Sequence, residues 1–189
     1  MEFADVTYRY YADGRPPVCT TGNGVAMSTS VSKKRYPTLS TLIHRQTLQA
    51  FMPNPAPDIY TQVDHINHDP KDFRLSNLRW VTTQMNQLNR KGCKGYTEVR
   101  YRGRTMCHAR IKVGRLWALG HFDTEEKAHA CYEVYRDLAS SYIEKYWRHY
   151  IAARQPGETP DRTDLMIDPT KIDADTLTIV GRKFYKYMP

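Results

Sequence analysis

VDHINHDPKDFRLSNLRWVTTQMNQLNRK, residues 63–91, brings an acid-histidine pair, an Asn-Leu-Arg-Trp run and a second pair of asparagines close together in the chain. QVDHI (62–66) suits a strand, NHDPKDFRLS a loop, NLRWVT (77–82) a second strand, and TQMNQLNRK a short helix with Thr82 or Thr83 as N-cap. A strand-loop-strand-helix unit of this size cannot bury a core of its own. The flanking segment must complete it. Just upstream, HRQTLQAF (44–51) predicts a short helix with Leu48 and Phe51 on its buried side, stopped by Pro53 and Pro55.

Hydrolysis of a phosphodiester requires an activated water on one side of phosphorus, a stabilised leaving oxygen on the other, and neutralisation of the charge between them. Histidine suits the first task because its pKa lies near neutrality. A divalent cation held by a few oxygens suits the others. Asp64, Asn77 and Asn86 supply oxygens of that kind and His65 supplies the base. Neighbouring side chains on a strand point to opposite faces, so Asp64 and His65 flank one phosphate only if the strand ends or bends there. The His-Asp-Pro loop supplies such an end, Asn77 could pin that loop, and Asn86, about one turn into the helix, could face Asp64.

These residues resemble the HNH nuclease family with its strand-strand-helix metal fold, in the variety found in phage and group I intron homing endonucleases. The matches are Asp64-His65, Asn77-Leu78-Arg79-Trp80 and Asn86, preceded by His44-Arg45 and Ala50-Phe51. The resemblance covers roughly residues 35–91. It implies that His65 is the general base, that Asp64 and Asn86 bind the metal, and that Asn77 orders the loop. One departure is local: relatives often carry Asp-Gly-Asn followed by Asn-Asn, where this chain has Asn67-His68-Asp69 and then Asp72-Phe73. His68 thereby becomes a candidate extra ligand or phosphate contact. Asn89 shares a helical face with Asn86 and is a further candidate, weighed against a solvated helix-end role. His44 reads as structural or phosphate-contacting, and Trp80 as core.

Outside this stretch, residues 3–43 mix aromatic and β-branched residues with Gly and Pro punctuation, which predicts an irregular β region. Residues 95–142 begin with three β segments, YTEVRY, TMCHARIKV and LWALGHF, joined by short Gly-containing turns. Such turns argue an antiparallel meander. In the middle segment Cys107, Ala109, Ile111 and Val113 alternate with Met106, His108, Arg110 and Lys112, giving one apolar and one basic face. The following helix should cover the apolar face with Ala128, Cys131, Tyr132, Tyr135, Leu138, Ala139 and Tyr142.

This second segment resembles the three-stranded-sheet-plus-helix DNA-binding domain of plant APETALA-type and ethylene-response factors. The features are Gly95-Tyr96, Arg100 to Arg104, Ala109-Arg110-Ile111, Leu119-Gly120, Phe122-Asp123-Thr124, and Glu126, Ala128, Ala130 and Tyr132 on the helix. The resemblance implies DNA contacts by Arg100, Arg102, Arg104, Arg110 and Lys112. Plant members carry Trp directly before the Leu-Gly pair; here Ala118 is there and Trp117 stands one place earlier. A one-residue shift turns a strand side chain to the other face, so Trp117 is open between DNA contact and core.

Charge agrees with an acidic partner: 28 Lys and Arg against 20 Asp and Glu give a net charge of +8. The excess is concentrated, with seven basic and two acidic residues in 92–123 against five and six in 155–189. Cys19, Cys93, Cys107 and Cys131 form no Cys-x-x-Cys pair, so reduced, unlinked thiols are expected. No run approaches the roughly 18 apolar residues of a membrane span, and the opening residues lack the order of a secretory signal, which together predict an intracellular chain without a membrane partner.

The expectation is an α+β chain: an HNH nuclease domain over 1–91 with its motif in 62–91, a sheet-plus-helix DNA-binding domain over 92–154, and a linker and tail over 155–189. Its LTIVGRKFYKYMP segment has strand character. The expected activity is metal-dependent cleavage of double-stranded DNA by a monomer or homodimer, with Mg²⁺ or Mn²⁺ as cofactor and Zn²⁺ as the alternative. The rivals are a non-catalytic DNA-binding regulator and an RNA-directed nuclease.

Overall fold

A computed structural model of the chain describes residues 43–155, 157–160 and 166–176, with shorter stretches at 6–9, 11–13, 18–21, 26–27, 30–31 and 37–38. The chain divides into two compact units, Met1–Val81 and Thr82–Pro189. In the first, β1 (Val6–Arg9), β2 (Val18–Thr21) and β3 (Ala26–Met27) form an antiparallel sheet in that order, and β4 (Ser30–Val31) pairs with β5 (Pro37–Thr38). This is the irregular β region expected from the turn-rich sequence.

Helix α1 (Ile43–Phe51) presents His44, Thr47 and Leu48 at helical spacing, all buried. Phe51, expected beside Leu48, is instead 44% exposed. Position 51 continues the 44/47/48 stripe by one more turn, at the last residue of the helix, where its side chain is not covered. Past the helix, the Trp80 indole N–H donates to the carbonyl of Met52 at 2.7 Å, satisfying a carbonyl where Pro53 stops the helix. Leu48 packs with Val63, Leu78 and Trp80, so Trp80 is core, as its sequence suggested. The guanidinium of Arg45 lies 5.5 Å from the Trp80 ring centre and donates to the carbonyl of Thr61 at 2.7 Å.

Strand β6 (Gln62–His65) pairs antiparallel with β7 (Leu78–Val81), Val63 opposite Trp80 and Asp64 opposite Arg79. The second strand starts one residue later than expected, because Asn77 ends a 3-10 helical turn, Leu75–Asn77, and its side chain serves the loop.

The second unit opens with α2 (Thr83–Leu88), whose N-cap is Thr82: its hydroxyl accepts from the Met85 N–H at 3.1 Å. The helix ends at Leu88, with Asn89 as C-cap, shorter than the run to Lys91 that the sequence suggested. Strands β8 (Tyr96–Tyr101), β9 (Arg104–Val113) and β10 (Arg115–Phe122) then make the expected antiparallel meander with β9 in the centre. Cys107, Ala109, Ile111 and Val113 are buried on one face and covered by α3 (Glu125–Ala153). The described residues thus form a mixed α and β structure that includes the three-stranded antiparallel sheet β8–β10.

Thr124 caps α3, accepting from the Lys127 N–H at 3.3 Å, and Glu125 and Glu126 fill the first turn, where negative charge suits the dipole. The Tyr96 hydroxyl donates to Glu125, pinning the helix start to β8. Ala128, Tyr132, Ala139 and Tyr142 are buried as expected, whereas Cys131 and Leu138 are half-buried. The helix also continues beyond 142, burying Ile143, Trp147 and Tyr150. Cys93, Cys107 and Cys131 are free thiols.

From the tail, a 3-10 helical turn, Pro169–Lys171, packs against α3, with Ile167 and Ile172 buried on either side of it. The strand character of the terminal LTIVGRKFYKYMP falls outside the described residues. Among the described residues, no helix is long and apolar enough to cross a membrane.

Candidate functional site

Strand β6 ends at His65, and both members of the acid-histidine pair are buried: Asp64 is 7% exposed and His65 6%. Alternation sends them to opposite faces of the β6–β7 ribbon. Asp64 lies on the face of its cross-strand partner Arg79, whose Nε and Nη2 donate to Oδ2 at 3.1 and 3.0 Å. The side chain of a buried carboxylate is thereby fixed by a two-pronged, charge-assisted contact. Sequence reasoning gave Arg79 no role of its own, although its place as the second residue of the return strand, opposite Asp64, follows from the pairing of His65 with Leu78.

His65 points to the core face, between two rings. The His44 ring centre lies 5.0 Å away, tilted by 60°, and the edge-on Phe73 ring 6.2 Å away. Burial pushes the His65 imidazole below its ordinary value, while Asp64, Asp69 and Asp72 pull the other way. The result is a neutral imidazole near pH 7, the protonation state a general base requires. His44 reaches this place because α1 turns residue 44 inward.

Asn77 is the clamp of the loop. Its Oδ1 accepts from the Asn67 backbone N–H at 2.9 Å, and its Nδ2 donates to the Asp72 carbonyl at 3.0 Å. One amide thus joins both arms of the loop, with the Ile66 N–H donating to the Asn77 carbonyl at 2.9 Å beneath it. Asn67 adds a second tie through Nδ2 to Asp72 at 2.8 Å. Hydrogen bonds from Arg74 hold the Asp72 carboxyl down at about 2, so it stays ionised throughout the physiological range. His68 donates its backbone N–H to the His65 carbonyl at 3.0 Å and sits at φ 67°, the left-handed region. Glycine adopts such a backbone without strain, and here a histidine holds it.

His44 yields a measurable consequence. Burial, reinforced by the charges of His65 and Arg45, pushes its pKa from 6.5 down to about 4. Between those pH values the unfolded chain binds a proton that the folded chain refuses, so stability is full above pH 6.5 and is lost as pH falls toward 4. The loss is up to about 3 kcal/mol. Urea unfolding at pH 7 and pH 4.5 should show a clearly smaller acid loss for His44→Gln than for the unsubstituted chain; equal losses would assign the acid sensitivity elsewhere.

Asn86 and Asn89 lie in the second unit, half-buried, on α2 and at its C-cap respectively. Among the described residues, no three or more His, Cys, Asp or Glu side chains are grouped to hold a metal ion. The candidate donors are instead one carboxylate and amide oxygens. Hard oxygen donors of that kind fit Mg²⁺, which keeps several waters and needs few protein ligands.

On the sheet of the second unit, cross-strand register decides which cations share a face. Arg104, Arg110 and Lys112 have the parity of the open face, opposite the helix-covered residues of β9. Arg100 lies opposite Thr105, which has the parity of Cys107, so it falls on the covered side at the sheet's end, although exposed. Arg102 is in the β8–β9 turn at φ 51°. Trp117 lies opposite Ile111 and is therefore on the covered side; its indole N–H donates to the Val113 carbonyl at 3.1 Å, and the Arg115 guanidinium lies 3.9 Å from its ring centre.

Residues 53–88 match a family model described as HNH endonuclease. No curated protein and no solved structure matches the chain. The matched segment contains Asp64, His65, Asn77 and Asn86 and is similar to a nuclease domain. His44 and the sheet of the second unit lie outside it.

Proposed function

We propose that the chain is a metal-dependent DNA endonuclease in which residues 1–91 cleave and residues 92–154 grip the duplex. The observation that carries this reading is His65: a buried, neutral imidazole at the end of β6, next to a fixed carboxylate and behind a loop tied by Asn77, inside the segment similar to HNH endonucleases.

His65 takes the proton from the attacking water. Arg79 holds the Asp64 carboxylate in place, and Asn77 keeps the loop that follows His65 from collapsing onto the base. The residues that would hold the divalent cation are Asp64 and, by the family resemblance, Asn86; when bound, the cation neutralises charge on the scissile phosphate and the leaving oxygen. The products carry a 5′ phosphate and a 3′ hydroxyl. One such centre hydrolyses one strand, so a monomer nicks and a homodimer is needed to cut both strands together. Arg104, Arg110 and Lys112, with Arg102 at the turn and Arg100 at the sheet's end, supply the phosphate-neutralising charge.

Supercoiled plasmid incubated with the purified chain should convert to the nicked form in Mg²⁺ or Mn²⁺ and stay intact in EDTA. Plasmid that binds yet remains uncut in both ions would replace this reading with that of a DNA-binding regulator. Preferential cutting of RNA in a parallel reaction would replace the substrate.

A further inference from the structure

His68 stands three residues after His65, and the turn between them is closed by its own backbone N–H on the His65 carbonyl at 3.0 Å. Its φ of 67° crowds a side chain against the neighbouring carbonyl. Among the described residues Arg102, at a turn between strands, is the only other residue besides glycines with a positive φ. Glycine would supply the same N–H to His65 with no crowding. The backbone of this turn therefore gives no reason for an imidazole.

The rest of the loop gives none either. Asn77 joins Asn67 to Asp72, Asn67 Oδ1 accepts from the Asp69 N–H at 2.8 Å, and Asp69 Oδ1 accepts from the Lys71 N–H at 2.9 Å. Arg74 Nε donates to Asp72 at 2.9 Å. All these side chains are spent on holding the loop in shape. The imidazole of His68, half-buried, makes no hydrogen bond and no ion pair with a described residue. A polar side chain kept at a strained backbone position, beside the base and outside the loop's own bonding, is available to a ligand.

We propose that His68 is a substrate-binding residue whose imidazole N–H donates to a phosphate oxygen of the cleaved strand, next to the phosphate that faces His65. The proposal rests on the reading of residues 1–91 as the cleaving unit. Between Ile66 and Asn77 the fixed charges cancel, Asp69 and Asp72 against Lys71 and Arg74, so the loop attracts a phosphate through a donor and not through net charge. An imidazole has at least one N–H in either protonation state, and an anionic acceptor makes the hydrogen bond a strong one. The two histidines then divide the work. His65 takes a proton from water, whereas His68 keeps its own and fixes the strand's register against the base, and the loop's ties to Asn77 keep the two at a constant spacing.

The test is the affinity of the full chain for a mixed-sequence DNA duplex in EDTA, at one pH and ionic strength, with melting temperatures measured in parallel. Glycine and aspartate both accept the left-handed backbone, so His68→Gly and His68→Asp remove the imidazole without disturbing the turn. His68→Gly should bind about 10-fold more weakly, the scale of one hydrogen bond to a charged group, and His68→Asp more weakly still, because its carboxylate repels the phosphate. Neither should melt below the unsubstituted chain. Undiminished affinity in His68→Gly overturns the proposal, and so does a clear fall in the melting temperature of both variants, which would make the imidazole part of the fold. Affinities that fall in the expected order, in a chain that nicks no plasmid in Mg²⁺ or Mn²⁺, uphold the phosphate contact and overturn the cleaving role instead.

Discussion

His65→Ala is expected to lower Mg²⁺-dependent nicking of supercoiled DNA by about 10²- to 10⁴-fold, the range that a positioned general base contributes. The effect should be large because the imidazole's protonation state is set by its place. Burial pushes its pKa below the ordinary value, which favours the neutral form that a base requires. Loss of the ring also removes packing against His44 and Phe73, so part of any rate loss could come from a loosened core. Two measurements separate these causes. Duplex affinity in EDTA should change little, and the variant should retain a cooperative melting transition; with both preserved, retention of more than about a tenth of the unsubstituted rate would remove His65 from the role of base.

The largest expected effect on stability lies at Gly95. This residue has φ +73°, which a side chain adopts at a cost of about 1 kcal/mol or more, and a Cβ built there would lie 1.9 Å from Cγ of Tyr132. Tyr132 is itself a buried side chain of α3, so swinging it aside costs packing. The carbonyl of Gly95 also accepts from the Arg110 N–H at 2.7 Å, so a backbone shift that relieved the clash would strain the central strand. Gly95→Ala should therefore destabilise the second unit by about 3 kcal/mol or more, combining overpacking with backbone strain. Urea denaturation gives the number. Adding Tyr132→Ala should recover part of it, since the clashing ring is gone, and a loss below about 1 kcal/mol for Gly95→Ala alone would show that the tyrosine yields easily.

The elements were legible in the sequence where period and punctuation agreed. Cys107 to Val113 alternate without interruption, and their burial follows that alternation residue by residue. Thr82 at the head of α2 was readable from the capping preference of threonine, and Trp80 as core from its strand context. Phe51 shares the stripe of His44, Thr47 and Leu48, but it is the last residue of the helix and burial stops short of it, which periodicity alone does not reveal. Arg100 was grouped with Arg110 because the resemblance implied DNA contacts by both. Only the register, with Arg100 opposite Thr105, reveals that they belong to different sides. The contact of His44 with His65 joins residues 21 positions apart on a helix and a strand, and no local pattern encodes it. The departure at His68 was visible as a sequence difference, but its conformation was not, since a left-handed backbone at a non-glycine residue is set by the hydrogen bonds of the surrounding loop.

Helix α3 runs for 29 residues, about 43 Å at the usual rise, and has buried side chains from Ala128 to Tyr150. It acts as a shared spine: the sheet occupies its earlier turns, while Lys145 reaches the Thr176 carbonyl at 2.8 Å and the 3-10 turn of the tail packs against it. Residues 166–176 are consequently part of the folded body, although their composition reads as linker. A protease that cuts at Gln155, Gly157 or Thr159, which are exposed, would leave two noncovalently held pieces, and a fragment ending there would face solvent with the apolar surface that Ile167 and Ile172 now cover.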